Sequence, residues 1–193
     1  DAKHFADYLN TNKATISADA TATATGTTVE LTVNEAGYYF VDSSLGALCI
    51  LHTATDTLTV EEKNAEPTIE KTALQATAGV GQTVNFTITV TAGGAADTSY
   101  IVKDTMTDGL DLVADSIVIK VNEEEVAAAN YSKSTTAHGF VISFNQNYTA
   151  GLGKDTDIVI TYNAIVNENA IITSNVKNSV ELKYGATTTT DEV

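Results

Sequence analysis

Three polar residues stand at positions where a strand pattern places apolar side chains, and their side-chain types can do covalent chemistry. Side chains two residues apart lie on the same face of an extended strand. Lys71 therefore shares a face with Ile69, and Asn178 shares a face with Val180. Asp104 has apolar residues two positions before it and two positions after it, so its carboxyl points the same way. We expect an amine, a carboxyl and a carboxamide to meet inside the protein.

These three groups can react to form an amide bond. Burial disfavours charged forms, so it lowers the pKa of a lysine and raises the pKa of a carboxyl. A neutral amine is a nucleophile, and a protonated carboxyl can polarise an amide carbonyl and move protons. The predicted product is an amide between Lys71 and Asn178 with loss of ammonia, and Asp104 is the predicted catalytic residue. Two alternatives stay open: a lysine can reach water from an edge strand, and an asparagine near a strand end can serve a turn.

The elements that must position these groups are strands. Apolar and polar residues alternate over residues 84–90 and again over residues 158–166, and Asp108-Gly109 is a tight-turn signal. About seven such strands follow the single proline, Pro67, with almost no helical pattern between them. The sequence predicts an all-β protein of tandem antiparallel immunoglobulin-like β-sandwiches. The second sandwich is predicted to be complete, and the first to be partial, with a short helix at its N terminus.

Polar and turn-forming segments divide the chain. Residues 61–66 form a polar linker that ends at Pro67. We therefore predict that residues 1–64 are the C-terminal part of a first β domain, with the helix over residues 1–11. Residues 65–186 are the predicted complete sandwich, and the threonine-rich residues 187–193 are predicted to be a linker or tail.

Composition excludes several classes of function. The 193 residues include 25 acidic and 10 basic residues, for a net charge of −15, so no basic surface for nucleic acid is expected. No apolar run has the length of a membrane span, so no membrane contact is expected in this fragment. The sequence has no metal-ligand spacing, no Ser/His/Asp arrangement and no phosphate loop, so no metal, no cofactor and no enzyme acting on external substrates is predicted. Cys49 is the sole cysteine and is expected to be a buried structural thiol.

Four segments of the sequence resemble a known family. They are residues 67–71 (Pro-Thr-Ile-Glu-Lys), 81–90 (Gly-Gln-Thr-Val-Asn-Phe-Thr-Ile-Thr-Val), 102–110 (Val-Lys-Asp-Thr-Met-Thr-Asp-Gly-Leu) and 178–184 (Asn-Ser-Val-Glu-Leu-Lys-Tyr). Together they resemble the isopeptide-forming, collagen-adhesin-type domains of Gram-positive fimbrial shaft proteins, the major pilins. The resemblance covers residues 67–185 well and residues 37–64 more weakly.

The resemblance implies a function and a role for each site residue. It implies a structural subunit of a cell-wall fimbria on the outside of the cell, joined to other pilin subunits by sortase. Within the domain it implies an isopeptide bond between Lys71 and Asn178, assisted by Asp104. Asn175 is the alternative acceptor, and Glu168 is the alternative carboxyl.

The sequence departs from the pilin pattern at the polymerising lysine. Pilin shafts carry a Tyr-Pro-Lys-Asn motif before the second domain, whereas this chain has Glu-Glu-Lys-Asn, so Lys63 is the candidate sortase acceptor without its Tyr-Pro neighbours. The alternative function is a surface adhesin that binds host matrix or glycan through sandwich loops. Tyr131, His138 and Tyr148 are the aromatic residues predicted to lie in such loops. Because the chain opens at Asp1, we expect it to be a mature or trimmed fragment.

Overall fold

The computed structural model divides the chain into two compact units, residues 1–62 and 63–193. This division lies two residues before the boundary that we predicted from the sequence. The structure describes residues 5, 8, 9, 11, 12, 15 and 29, and then residues 35–43, 46–52, 65–94, 99–171, 176–185 and 187–193. No helix among these residues is long and apolar enough to cross a membrane.

Strands make up most of the described chain, as the all-β prediction required. In chain order they are β1 (Gly37–Ser43), β2 (Gly46–His52), β3 (Thr68–Ala73), β4 (Thr83–Thr91), β5 (Tyr100–Met106), β6 (Leu110–Val121), β7 (Glu124–Glu125), β8 (Tyr131–Thr136), β9 (Gly139–Phe144), β10 (Asp157–Val166), β11 (Asn178–Tyr184) and β12 (Thr187–Glu192). In the described residues of the second unit, helical structure is limited to the short helix Gln146–Thr149 and two 3₁₀ turns, Ala128–Asn130 and Glu168–Ile171.

The first unit contains an antiparallel hairpin of β1 and β2. The described residues Phe5, Tyr8 and Leu9 are helical, which agrees with the short N-terminal helix that we predicted. Within this unit the ring of Phe5 meets the ring of Tyr38 edge-on, with 6.3 Å between the ring centroids. Aromatic pairs prefer this geometry.

The second unit is a sandwich of two five-stranded antiparallel sheets. One sheet has the order β3-β4-β10-β6-β7, and the other has the order β12-β11-β5-β9-β8. The alternation that we read in the sequence becomes alternation of burial, because one face of each sheet packs on the other. In β4, for example, Val84, Phe86, Ile88 and Val90 are buried, while the residues between them are only partly buried.

Three predictions about this unit are wrong. Residues 187–193 are not a linker or tail, since residues 187–192 form the edge strand β12, which pairs with β11 from Ser179–Glu192 to Tyr184–Thr187. Threonine favours extended backbone, and an edge strand with little buried surface shows no apolar alternation to read. Tyr131 does not lie in a loop, because it begins strand β8. With β7, β8 and β12 the described part of the unit has ten strands rather than the seven expected.

Candidate functional site

The three residues singled out from the sequence meet at the centre of the sandwich. Lys71 lies on β3, in one sheet, whereas Asp104 on β5 and Asn178 on β11 lie in the facing sheet. Their exposed fractions are 2%, 3% and 1%, respectively. The lysine does not reach water, because its side chain and that of Asp104 are fully buried. A bond between Lys71 and Asn178 would therefore join the two sheets.

The lysine amine contacts both of its partners. Nζ of Lys71 donates a hydrogen bond to Oδ1 of Asn178 at 2.6 Å and forms a close ion pair with Oδ2 of Asp104. Because an ammonium group is only a donor, the oxygen of the Asn178 amide faces the amine and its nitrogen faces away. The carbonyl that the amine must attack is therefore adjacent to it.

A tyrosine completes the site on its other side. The hydroxyl of Tyr162, on β10, donates to Oδ2 of Asp104 at 2.6 Å and accepts from Nδ2 of Asn178 at 2.8 Å. Its ring stacks on Phe86 at 5.4 Å and meets Phe140 edge-on at 4.9 Å, so packing holds the hydroxyl in place. Nζ of Lys71 lies 5.5 Å from the centroids of the Phe86 and Tyr162 rings. The walls of the site are therefore aromatic and dry.

Burial sets the protonation chemistry of the pair. It lowers the pKa of Lys71 below its ordinary value of 10.5, against the opposing effect of the Asp104 charge. It also raises the pKa of Asp104 above its ordinary value of 3.8, although Lys71 and Tyr162 pull that pKa down. Oδ1 of Asp104 is buried and has no hydrogen-bond partner. A neutral carboxyl with one unpaired oxygen costs less to bury than an ionised carboxylate, so both shifts favour the neutral amine and the neutral acid.

Residues 187–193, which include strand β12, hold the backbone of both reacting residues. Oδ2 of Asp191 accepts a hydrogen bond from the backbone N–H of Lys71 at 2.6 Å, across the gap between the two sheets. Val193 and Asn178 exchange backbone hydrogen bonds of 2.9 and 3.0 Å. The segment that we predicted to be a tail is therefore part of the frame of the site.

Strand β9 pairs with β5, the strand that carries Asp104, on the side away from β11. Gly139 has a φ of +154°, and a Cβ atom there would lie 2.2 Å from the backbone oxygen of Asp104. Only glycine allows β9 to pack this closely against β5.

The remaining predicted residues fall elsewhere. Glu168, the rival carboxyl, is exposed in a 3₁₀ turn. Asn175 and Lys63 lie outside the described residues, as does the side chain of Cys49. Tyr131 and Tyr148 pack against the core and flank Phe144, whereas Nδ1 of His138 lies 2.8 Å from the backbone oxygen of Leu110. No cluster of three or more potential metal ligands occurs in the part of the chain that the structure describes.

Sequence reasoning missed Tyr162 and Asp191. The alternation over residues 158–166 predicts an inward position for Tyr162. A hydroxyl at an inward position of an otherwise aliphatic strand is the feature that could have indicated a role in the site. A buried tyrosine hydroxyl usually has a hydrogen-bond partner. Asp191 gave no signal, because its segment has no apolar alternation.

Proteins of known structure that are similar to this chain come from bacterial surfaces. The pilus backbone protein RrgB of Streptococcus pneumoniae has a TM-score of 0.57 and 23% identity, over 63% of this chain and 32% of the RrgB chain. The major pilin SpaD of Corynebacterium diphtheriae has a TM-score of 0.55 and 15% identity, over 84% of this chain and 44% of its own. The N-terminal domain of the Streptococcus gordonii adhesin Sgo0707 has a TM-score of 0.55 and 19% identity, over 69% of this chain and 32% of its own.

The fold is that of the Gram-positive major pilins. The resemblance read from the sequence is thereby confirmed at the level of the fold. The chain spans between 23% and 32% of the length of the RrgB structures that it matches. No protein-family model matches the sequence, and no curated protein sequence matches it either.

Proposed function

We propose that residues 63–193 form a structural domain of a cell-surface fimbria that locks itself with an isopeptide bond between Lys71 and Asn178. The observation that carries the proposal is the contact of the buried Nζ of Lys71 with Oδ1 of Asn178 at 2.6 Å, beside the equally buried Asp104. Burial of a lysine or a carboxyl costs free energy of folding unless the two groups pair with each other. Here their position also aligns a nucleophile with a carbonyl.

The reaction uses the neutral form of the pair. Nζ of Lys71 attacks Cγ of Asn178, the bond from Cγ to Nδ2 breaks, and ammonia leaves. Asp104 takes the proton that Nζ loses and supplies the proton that the leaving nitrogen needs. The folded protein holds the two reactants in contact, and such alignment can remove roughly 7–11 kcal/mol of a barrier. The domain acts on itself only, and we propose no external substrate for it.

Intact mass tests the bond directly. The folded protein is expected to weigh less than its sequence by one ammonia, and a protease digest should yield a branched peptide that joins Lys71 to Asn178. Lys71→Ala and Asp104→Ala should fold and keep the full sequence mass. A parent protein at full sequence mass rejects the bond, and an Asp104→Ala protein that still loses ammonia rejects Asp104 as its catalyst.

Assembly into a fimbria is the second part of the proposal. The similarity in fold to pilus backbone proteins supports it, and Lys63 is the candidate amine that sortase would join to another subunit. The test is Lys63→Ala in the longest natural form of the protein in its own host. Loss of the high-mass ladder on a denaturing gel, with the internal bond intact, would support this role. An unchanged ladder would exclude Lys63 as the acceptor.

A surface adhesin is the second candidate, because the fold also matches an adhesin domain at a TM-score of 0.55. Its ligand would be host matrix or glycan bound at the loops of the sandwich. The inward packing of Tyr131 and Tyr148 leaves less aromatic surface for such contacts than the sequence indicated. Binding of the purified protein to a matrix and glycan panel tests the adhesin, which requires a ligand on that panel, whereas the structural role requires none.

A further inference from the structure

The nitrogen that must leave as ammonia contacts a tyrosine rather than the acid. Nδ2 of Asn178 donates to the hydroxyl of Tyr162 at 2.8 Å, and that hydroxyl donates to Oδ2 of Asp104 at 2.6 Å. Oδ2 is also the oxygen that contacts Nζ of Lys71, while Oδ1 has no partner. One continuous path of hydrogen bonds therefore runs from the attacking nitrogen, through the acid and the phenol, to the leaving nitrogen.

We propose that Tyr162 is a catalytic residue of isopeptide formation, which carries the proton from Asp104 to the departing nitrogen of Asn178. This inference rests on the proposed bond between Lys71 and Asn178. An amide nitrogen is a poor leaving group until it is protonated, so a donor in contact with it acts at the step where the bond from carbon to nitrogen breaks. Among the described residues, the hydroxyl of Tyr162 is the O–H group in contact with that nitrogen, and it can donate to Nδ2 once the tetrahedral intermediate gives that nitrogen a free lone pair.

The protons balance along this path. A proton first moves from Nζ of Lys71 to Oδ2 of Asp104, which leaves a neutral amine and a neutral acid. The lone pair of Nζ attacks Cγ of Asn178 and gives a tetrahedral intermediate. Asp104 then passes its proton to the oxygen of Tyr162 as the hydroxyl passes its own proton to Nδ2. Ammonia leaves and the carbonyl re-forms. Nζ then passes a second proton to Asp104, which is again a neutral acid.

The surroundings of Tyr162 suit a carrier rather than a base. Burial, together with the charge that Asp104 carries when it is ionised, raises the pKa of Tyr162 well above its ordinary value of 10.0, so the hydroxyl holds its proton until the bond forms. The side chain is 1% exposed, so bulk water does not replace it as the donor. Phe86 and Phe140 hold the ring on two sides, so the hydroxyl can exchange its proton without moving its oxygen.

The experiment measures how fast the bond forms in newly made protein. The full chain is synthesised in a cell-free extract, synthesis is stopped, and the crosslinked fraction is followed by intact mass. Tyr162→Phe keeps the ring and its packing and removes only the hydroxyl. The matched control is Tyr100→Phe, which removes a buried hydroxyl that accepts from the backbone N–H of Gly93, away from the site.

We expect Tyr162→Phe to form the bond ~100-fold more slowly than the parent, because proton transfer by a positioned group contributes factors of this order. Tyr100→Phe should react at the parental rate. An equal rate for Tyr162→Phe and the parent would overturn the role of the tyrosine and leave the proposed bond intact. A parent that never loses ammonia would instead overturn the bond itself.

A second variant separates proton transfer from packing. Fluorotyrosine placed at position 162 by nonsense suppression keeps the ring, the oxygen and the hydrogen bonds, but its phenol is more acidic. If the hydroxyl carries the proton, the rate must change with this acidity, as general acid catalysis requires. A rate for the fluorinated protein equal to that of the parent would overturn the proposal, even if Tyr162→Phe is slow or poorly folded.

Discussion

Replacement of Lys71 by methionine tests the contribution of the proposed bond to stability. Methionine is unbranched like lysine and one atom shorter, so it places an apolar end near the rings of Phe86 and Tyr162, whose centroids lie 5.5 Å from Nζ, but it has no amine to react. The substitution removes the buried cation together with the bond, so it leaves no unpaired ammonium behind. Asp104 keeps its hydrogen bond from Tyr162, and burial, which raises the pKa of Asp104, favours its neutral form. The change therefore removes the crosslink together with the hydrogen bond from Nζ to Oδ1 of Asn178.

The size of the effect follows from the length of the closed loop. Lys71 and Asn178 are 107 residues apart, so in the chain-entropy treatment a covalent link between them stabilises the fold by about 4.8 kcal/mol. The second unit runs from residue 63 to residue 193, and for a domain of that size the loss lowers the melting temperature by roughly 15–20 °C. This is comparable to the loss of a long-range disulfide.

The assay is thermal and urea unfolding of the parent, Lys71→Met and the control Lys103→Met. Lys103 is an exposed residue next to Asp104 on β5, so its substitution should change the free energy of unfolding by less than about 0.5 kcal/mol. The crosslink state of each sample is fixed first by mass. A Lys71→Met protein within about 1 kcal/mol of a crosslinked parent would refute the loop-entropy reasoning.

Three further predictions concern the frame and charge of the site. In Lys71→Met, the raised pKa of Asp104 contributes stability that is present below pH 3.8 and is lost as the pH rises through the folded pKa. The free energy of urea unfolding should therefore fall over this pH range. The same variant carrying Asp104→Asn should not show this fall. Gly139→Ala should destabilise the domain by about 1–3 kcal/mol and slow bond formation, because the new Cβ meets the Asp104 backbone at 2.2 Å. Gly79→Ala, with nothing closer than 3.7 Å, is its control, and equal effects would contradict the steric argument. Asp191→Ala should destabilise the domain by about 1 kcal/mol and slow isopeptide formation in the mass assay. Its control, Glu192→Ala, removes an exposed ion pair with Lys177 and should leave the rate of isopeptide formation unchanged. Equal rates for the two variants would exclude the hydrogen bond from the Lys71 N–H to Asp191 as a positioning contact.

Much of the fold was readable because the sandwich buries one face of each strand. The alternation in β4 and β10 predicts both the strands and their buried faces. The inward orientation of Lys71 and Asn178 follows from the apolar residues two positions away on their own strands, Ile69 on β3 and Val180 on β11. Strands β8 and β12 were not readable for the opposite reason. Both are edge strands with mostly exposed side chains, so their pairing partners determine their structure and their own pattern does not.

The site was predictable in its residues and not in its geometry. Strand phase indicates that a side chain points inward, but it does not give the sheet in which the strand lies. The sequence therefore could not show that Lys71 faces Asp104 and Asn178 across the sandwich. Tyr162 needed the structure as well, because a tyrosine at a core position looks the same in sequence whether its hydroxyl serves packing or proton transfer.

The position of the proposed bond divides the unit mechanically. Tension that enters at β3 reaches Lys71 and passes through the bond to Asn178 on β11, so the strands from β4 to β10 carry none of it. Strand β12 follows Asn178 in the chain and lies outside the closed loop. Among the described residues it is held by its ladder with β11, the backbone pair of Val193 with Asn178, the contact of Asp191 with β3 and the exposed ion pair of Glu192 with Lys177. These contacts also hold the reactants in place before the bond forms. We therefore expect strand β12 to be needed to align Lys71 with Asn178. Once the bond has formed, a pull on the C terminus should detach β12 before the other described strands.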